Sequence, residues 1–260
     1  MLAKELIAKL IEGATTPERT CDTIKAGDEN CELHKVAVTM IGTIDTIKAA
    51  AEWGADMLIV HEPTYYDHMD VITDTPVTLA KKELIEKSGL VIYRYHDHAH
   101  FRDVDLIPEG EFHYLGLTGK LEKTEYSASS VFTLDTPITA LELAKKMQTE
   151  LGIAEPRIAG ARDCVVRRIG ACFGTPKGVL ELLQTDGIDI VLTGEACEWK
   201  ICEYARDAAA LGMNKALIVM GHIGSERDGM RLLAERMKRD YTEFETRYFE
   251  CGEVYSYVKG

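Results

Sequence analysis

Short apolar runs alternate with amphipathic stretches along most of the chain. At the start, Leu2, Leu6 and Leu10, with Ile7 and Ile11, recur at the spacing of one helix face. A polar stretch follows over residues 15–34, with Pro17, Gly27, Asp28 and Asn30, and reads as an irregular loop. Residues 35–41 read as a strand around Val36, Ala37 and Val38. Ile44, Ile47 and Ala51 then share one face of a helix over 45–53 that Gly54 ends, and residues 57–60 are wholly apolar. Such a run, polar on neither face, suits a strand covered on both sides, and strand–helix–strand order predicts a parallel sheet. A helix over 79–87 stopped by Gly89, a third strand over 90–95, and loop and turn over 108–123 come next.

The pattern changes after that. Residues 127–134 are rich in Ser, Val and Thr and read as β structure, and Pro137 and a Thr139 cap introduce a helix over 140–151. A strand over 165–173, a helix over 178–185 and a strand over 188–192 follow, and Thr193-Gly194-Glu195 opens a helix running to 210. A short strand at 216–220 leads into a helix ending near 239, and 247–258 reads as a last strand. The predicted fold class is α/β, with two α/β units whose sheets are mainly parallel. The second unit, residues 125–213, is inserted between the metal-ligand motifs of the first, residues 1–124 plus 214–260.

Three predicted strands end in polar clusters. The first is followed by His61-Glu62-Pro63, where Pro63 forbids a central strand to continue and favours a turn. The second runs into His96-Asp97-His98-Ala99-His100. The third precedes Gly221-His222-Ile223-Gly224-Ser225-Glu226, where His222 and Glu226 are spaced i,i+4 on one helix face. Taken singly, each has a plain structural account: a polar corner, a histidine-rich turn, a helix start with acidic first-turn charge. Together they place imidazoles and carboxylates at strand carboxyl ends, where parallel sheets bind ligands, and in one sheet these ends share an edge. Histidine plus carboxylate without thiolate suits Zn, Fe or Mn in a reactive site. Five or six such ligands suit two metals.

Charge and cysteine usage narrow the classes further. A net charge of −13 with no basic patch makes nucleic acid an unfit partner. No apolar run approaches the ~20 residues of a membrane span, and the N-terminus shows no signal peptide. Seven scattered cysteines form no C-x-x-C pair and read as reduced thiols, so the expected location is cytoplasmic. A single buried cysteine could still join a site.

These motifs resemble, in order and over nearly the whole chain, the NIF-three-like dinuclear metal proteins, whose bacterial members are often labelled type 2 GTP cyclohydrolase I. Ile59-Val60-His61-Glu62-Pro63 is similar to the family's strand-His-His-Pro, and Tyr93 to His100 to its Tyr-x-x-His-Thr-x-x-Asp. Gly221 to Glu226 matches Gly-His-x-x-Ser-Glu, and Thr193-Gly194-Glu195 matches its Thr-Gly-Glu. Two ligands differ: Glu62 stands where the family has His, and His100 where it has Asp. The resemblance implies a first set of ligands drawn from His61, Glu62, His96, His100, His222 and Glu226, with the ligand swap compensated in number and charge. The bridging role would pass from the absent Asp to Glu62 or stay with Glu226. His68, Asp97 and His98 are candidates for orienting ligand imidazoles, and the sequence leaves open whether His96 or His98 is the ligand. Glu195 reads equally as a pocket residue or a helix N-terminal acid. The family's Trp-Asp-Asn-x-Gly-Leu survives only as Cys21-Asp22-Thr23-Ile24-Lys25-Ala26-Gly27, and Trp199 stands where members commonly have His.

The expected function is a dinuclear metal-dependent hydrolase of cyclohydrolase type, with two divalent ions and a small nucleotide-like or heterocyclic substrate. Glu62, Glu226 and His96 are the candidates for proton transfer, and no organic cofactor is expected. The resemblance also implies a homo-oligomeric ring, commonly a hexamer. The rival reading is a non-catalytic metal-binding, chaperone or regulatory ring using the same ligands.

Overall fold

The computed structural model describes residues 1–125 and 129–258. In chain order it begins with α1 (Ala3–Ile11), β1 (Ile24–Ala26), β2 (Lys35–Thr39), α2 (Ile44–Trp53) and β3 (Met57–Val60). It continues through α3 (Pro76–Ser88), β4 (Val91–Arg94), α4 (Asp97–His100), α5 (Leu106–Tyr114), β5 (Gly119–Lys123) and β6 (Ser130–Thr139). Then come α6 (Ala140–Glu150), β7 (Arg157–Gly160), β8 (Val165–Cys172), α7 (Val179–Gln184) and β9 (Ile190–Thr193). A π-helical turn (Glu198–Cys202), α8 (Glu203–Ala210), β10 (Ala216–Val219), α9 (His222–Asp240) and β11 (Glu245–Tyr248) complete it.

The fold is a mixed α/β one with two sheets, and the chain divides into two compact units. The first comprises Met1–Leu106 and Met230–Gly260, the second Ile107–Gly229. The expected division at 124/125 and 213/214 differs from this one at both ends: β5 pairs with β6, and β10 runs parallel to β9 and antiparallel to β7, so both strands belong to the second sheet. The expectation that all three ligand-bearing strand ends share one sheet edge is therefore corrected. His61 and His96–His100 follow strands of the first sheet, while His222 and Glu226 follow a strand of the second.

In the first unit the strand order is β1-β4-β3-β2-β11, parallel except for the edge strand β1. Both β3 and β4 are buried along their whole length, which is why β3 reads as a continuous apolar run and β4 does so up to Arg94, its last residue. Thr43 caps α2 by accepting from the Thr46 N–H, and Gly54 closes it in the left-handed region. Ala37, Ile47, Leu58, Ile85 and Ile92 form the core between these helices and the sheet.

In the second unit the order is β5-β6-β8-β9-β10-β7, with a parallel centre of β8, β9 and β10. Thr139 and Glu142 form a reciprocal capping box on α6. One face packs Leu143, Met147, Ile169, Leu192 and Ile218, and the other Val179, Leu182, Val191 and Leu217.

Several elements depart from the sequence reading. The expected loop over 108–123 holds α5 and β5, and the loop over 15–34 holds β1. β7 was not foreseen, and the helix expected to open at Glu195 begins with the π-helical turn instead. The last strand stops at Tyr248, and the expected strand from Ser127 begins outside the described residues. Pro137 lies within β6, where the pairing with β8 shifts register between Thr133 and Ile138, as a missing N–H requires. Among the described residues no helix is long and apolar enough to cross a membrane.

Candidate metal centre

In the first unit the register Val60↔Arg94 sets the carboxyl ends of β3 and β4 side by side. The backbone turns sharply there: the N–H groups of His61 and Glu62 both donate to the Met40 carbonyl, each at 3.0 Å. That turn lets consecutive residues serve one site, and a Glu62 oxygen lies within 4.8 Å of a His61 ring nitrogen. The rings of His61, His96 and His100 come together, with centroids 4.7, 5.2 and 5.0 Å apart pairwise. One nitrogen from each lies within 4.8 Å of the other two, a spacing that a single metal ion spans.

The tautomers follow from the partners. His61 Nδ1 meets the Tyr95 carbonyl at 3.0 Å, His96 Nδ1 meets Asp97 Oδ1 at 2.9 Å, and His100 Nδ1 meets Asp105 Oδ2 at 3.0 Å. A carbonyl or an ionised carboxylate only accepts, so in each neutral ring the proton sits on Nδ1 and the lone pair on Nε2. Metal-binding histidines are prepared in this way. Burial holds the His61 imidazole well below its usual pKa, with the neighbouring His96 and His100 adding to the effect, so the ring stays neutral. Burial alone would raise the Asp97 carboxyl. Hydrogen bonds from His96, the Cys21 N–H and Thr20 outweigh it and hold the group well below the carboxylate range.

Asp22 organises this half. Its Oδ1 accepts from the N–H groups of His96 and Asp97, and its Oδ2 from the His98 N–H and the His98 ring at 2.7 Å. It thus satisfies the first turn of α4, whose donors would otherwise be buried unpaired. His98 uses both nitrogens, Nδ1 on Asp22 and Nε2 on Thr16 at 2.9 Å, so it fixes the turn and His96 and His100 face the cluster. His68 lies edge-on to His96, 5.7 Å between centroids. Cys21 has its sulfur near His96 and Asp97, but burial pushes its thiol up to about 12, which keeps it protonated in the absence of a metal.

The second unit carries its own set at the ends of β8, β9 and β10. His222 and Glu226 face one another across one turn of α9, Nε2 to Oε2 at 3.2 Å. His222 Nδ1 meets Glu195 Oε1 at 2.6 Å, so Glu195 orients the His222 imidazole. With the Nδ1 proton committed to Glu195, Nε2 and the Glu226 oxygen are both acceptors. A proton between them, on the ring or on the carboxyl, or a metal ion makes that distance favourable. Gly174, just after β8, has φ +65°, and a Cβ there would collide with Glu226 Oε1 and come within 3.3 Å of His222 Nε2. The Gly174 N–H donates to Ser225 Oγ at 3.0 Å, and its carbonyl accepts from the Glu195 N–H at 2.8 Å.

Of the six ligands expected from the sequence, His61, Glu62, His96 and His100 gather in the first unit, and His222 and Glu226 in the second. Sequence reasoning did not find Gly174 or Asp105, and it read Ser225 only as part of the helix-start motif. Gly174 had a signal in Gly-Thr-Pro directly after a strand, and Asp105 none beyond its type.

Residues 22–252 match the family model described as Duf34/NIF3 (NGG1p interacting factor 3). A "GTP cyclohydrolase 1 type 2 homolog" of Clostridium perfringens is 23% identical over 222 residues, covering 83% of this chain and 82% of the relative. Its namesake in Neisseria meningitidis is 27% identical over 209 residues, 78% of each chain. Among solved structures, a protein called ybgI, of unknown function, superposes with TM-score 0.79 at 19% identity over 97% of this chain and 99% of its own. A Bacillus cereus protein related to NIF3 gives TM-score 0.75 at 13% identity over 99% of both. At these identities the superpositions speak for the fold, and the family match covers most of the sequence. The chain belongs to the Duf34/NIF3 family.

Proposed function

We propose that this protein is a metal-dependent hydrolase of cyclohydrolase type whose two divalent ions are held by His61, Glu62, His96, His100, His222 and Glu226. The observation that carries the reading is the tautomer set. His61, His96, His100 and His222 each have Nδ1 turned to an acceptor and so present Nε2 as a donor atom. The donor set of neutral imidazoles and carboxylates fits Zn, Fe or Mn. Such ions supply Lewis acidity for hydrolysis at a polar bond.

The chain's own groups do the rest. Asp105, Asp97 and Glu195 hold the imidazoles in one tautomer, Asp22 fixes the turn that carries two of them, and Gly174 leaves room for the Glu226 carboxylate. Glu62, with Oε1 3.9 Å from His96 Nε2, brings a carboxylate to the histidine cluster. The names of the relatives, GTP cyclohydrolase 1 type 2 homologs, favour a small nucleotide-like or heterocyclic substrate. The same family resemblance favours a cytoplasmic homo-oligomer, commonly a hexamer.

The test is hydrolysis of a panel of purine nucleotides and related heterocycles by metal-loaded protein, alongside chelated protein and a His222→Ala variant. Turnover present only in the loaded wild type supports the reading. Stoichiometric metal with no turnover of any substrate would favour a metal-binding role over a hydrolase.

A further inference from the structure

Arg94, the last residue of β4, is wholly buried. Burying a guanidinium costs several kcal/mol unless its partners are fixed, and here they are. Its Nε donates to the His61 carbonyl at 3.0 Å and its Nη1 to the His68 carbonyl. Nη1 lies 3.5 Å from Asp70 Oδ2, which also receives Lys25 Nζ at 2.9 Å. Asp70 stands in the left-handed region, φ 60°, and its Oδ1 accepts from the Tyr65 N–H at 2.9 Å, so the β3–α3 loop is built around this carboxylate.

Two cations therefore share Asp70, and the second anion within reach of Arg94 is Glu62. Arg94 Nη2 lies 3.6 Å from Glu62 Oε2, while Glu62 Oε1 points to His96 Nε2 at 3.9 Å. One carboxylate oxygen is thus given to the arginine and the other to the histidine cluster. Left to itself, a glutamate beside three imidazoles could present either oxygen, or both, in several rotamers.

We infer that Arg94 is the positioning residue that fixes Glu62 as a one-oxygen donor toward the histidine cluster, with Asp70 and Lys25 holding Arg94 in place. This deepens the metal-site reading proposed above and rests on it.

The test is a double-mutant cycle on Co(II) affinity and Co(II) absorption, measured on the full chain: wild type, Arg94→Gln, Glu62→Gln and the double variant. Arg94→Gln should weaken Co(II) binding about tenfold or more, as loss of an outer partner of a ligand does. In the Glu62→Gln background the same change should have an effect below about twofold, because there is no carboxylate left to position. Equal weakening in both backgrounds, or none in either, would overturn the inference. If Arg94→Gln does not fold, Asp70→Asn replaces it in the same cycle, with a smaller loss that must again vanish without Glu62. A wild type that takes up no Co(II) would instead refute the metal reading on which this inference stands.

Discussion

Gly174→Ala separates the metal site from simple backbone strain. Gly174 and Gly212 both lie in the second unit with positive φ, +65° and +80°. An alanine at either pays about 1–2 kcal/mol for the left-handed region, partly offset by a stiffer unfolded chain, so each variant should lose about 1 kcal/mol. In a unit of this size that is a drop of about 3–6 °C in its unfolding midpoint. The surroundings differ: nothing lies within 4 Å of a Cβ at Gly212, whereas at Gly174 it would run into Glu226 Oε1. The Glu226 carboxylate must then move, and with it the oxygen that faces His222. Thermal unfolding and metal titration of both variants form the assay. Similar losses of stability are expected, with a loss of metal affinity of about tenfold or more in Gly174→Ala alone. Unchanged metal affinity and stoichiometry in Gly174→Ala would refute the assignment of Glu226 as a ligand.

Other expectations concern single residues. His98→Ala should lower stability, since it strips a buried partner from Asp22, yet keep the metal stoichiometry that His96→Ala and His100→Ala reduce; elemental analysis of the three variants decides. Asp105→Asn should weaken metal binding about 10–100-fold, because the carboxylate that holds His100 Nδ1 is lost; isothermal titration reads the loss. Glu111 is wholly buried, and burial first, the Asp228 carboxylate second, raise its pKa well above the usual 4.5. Below that value both folded and unfolded chains keep the proton and the full stability is present. As pH rises from 4.5 toward the folded value, the unfolded chain ionises first and stability falls by up to about 1.4 kcal/mol per pH unit. Glu111→Gln, which keeps an acceptor for the Asp228 N–H, should remove that decline in unfolding curves taken across pH.

The sequence pattern located the strands that position the sites because parallel strands buried on both faces leave continuous apolar runs, as in Met57–Val60 and Ala216–Val219. Polar residues directly after such runs marked both candidate ligand clusters. What periodicity could not show was which sheet β10 joins, since its own four residues are equally apolar in either; only its pairing with β9 places it in the second. α5 was missed because Pro108 and Gly110 look like loop residues. Pro108 in fact sits in the first turn, where its absent N–H costs nothing. Gly110 is required because a Cβ would meet the Asp228 carbonyl at 2.5 Å. The choice between His96 and His98 needed coordinates too: both are histidines at the right spacing, and only the bonds to Asp22 and Thr16 show that His98 faces away from the cluster.

Metal content per chain is the direct readout of the ligand assignment. Protein purified without chelator, with His100→Ala and His222→Ala prepared alongside, would be analysed for Zn, Fe and Mn. The account expects close to two ions per chain in the wild type and a clear loss in each variant. No metal in the wild type, or metal indifferent to both changes, would contradict it and leave these histidines and carboxylates as polar corners of the fold.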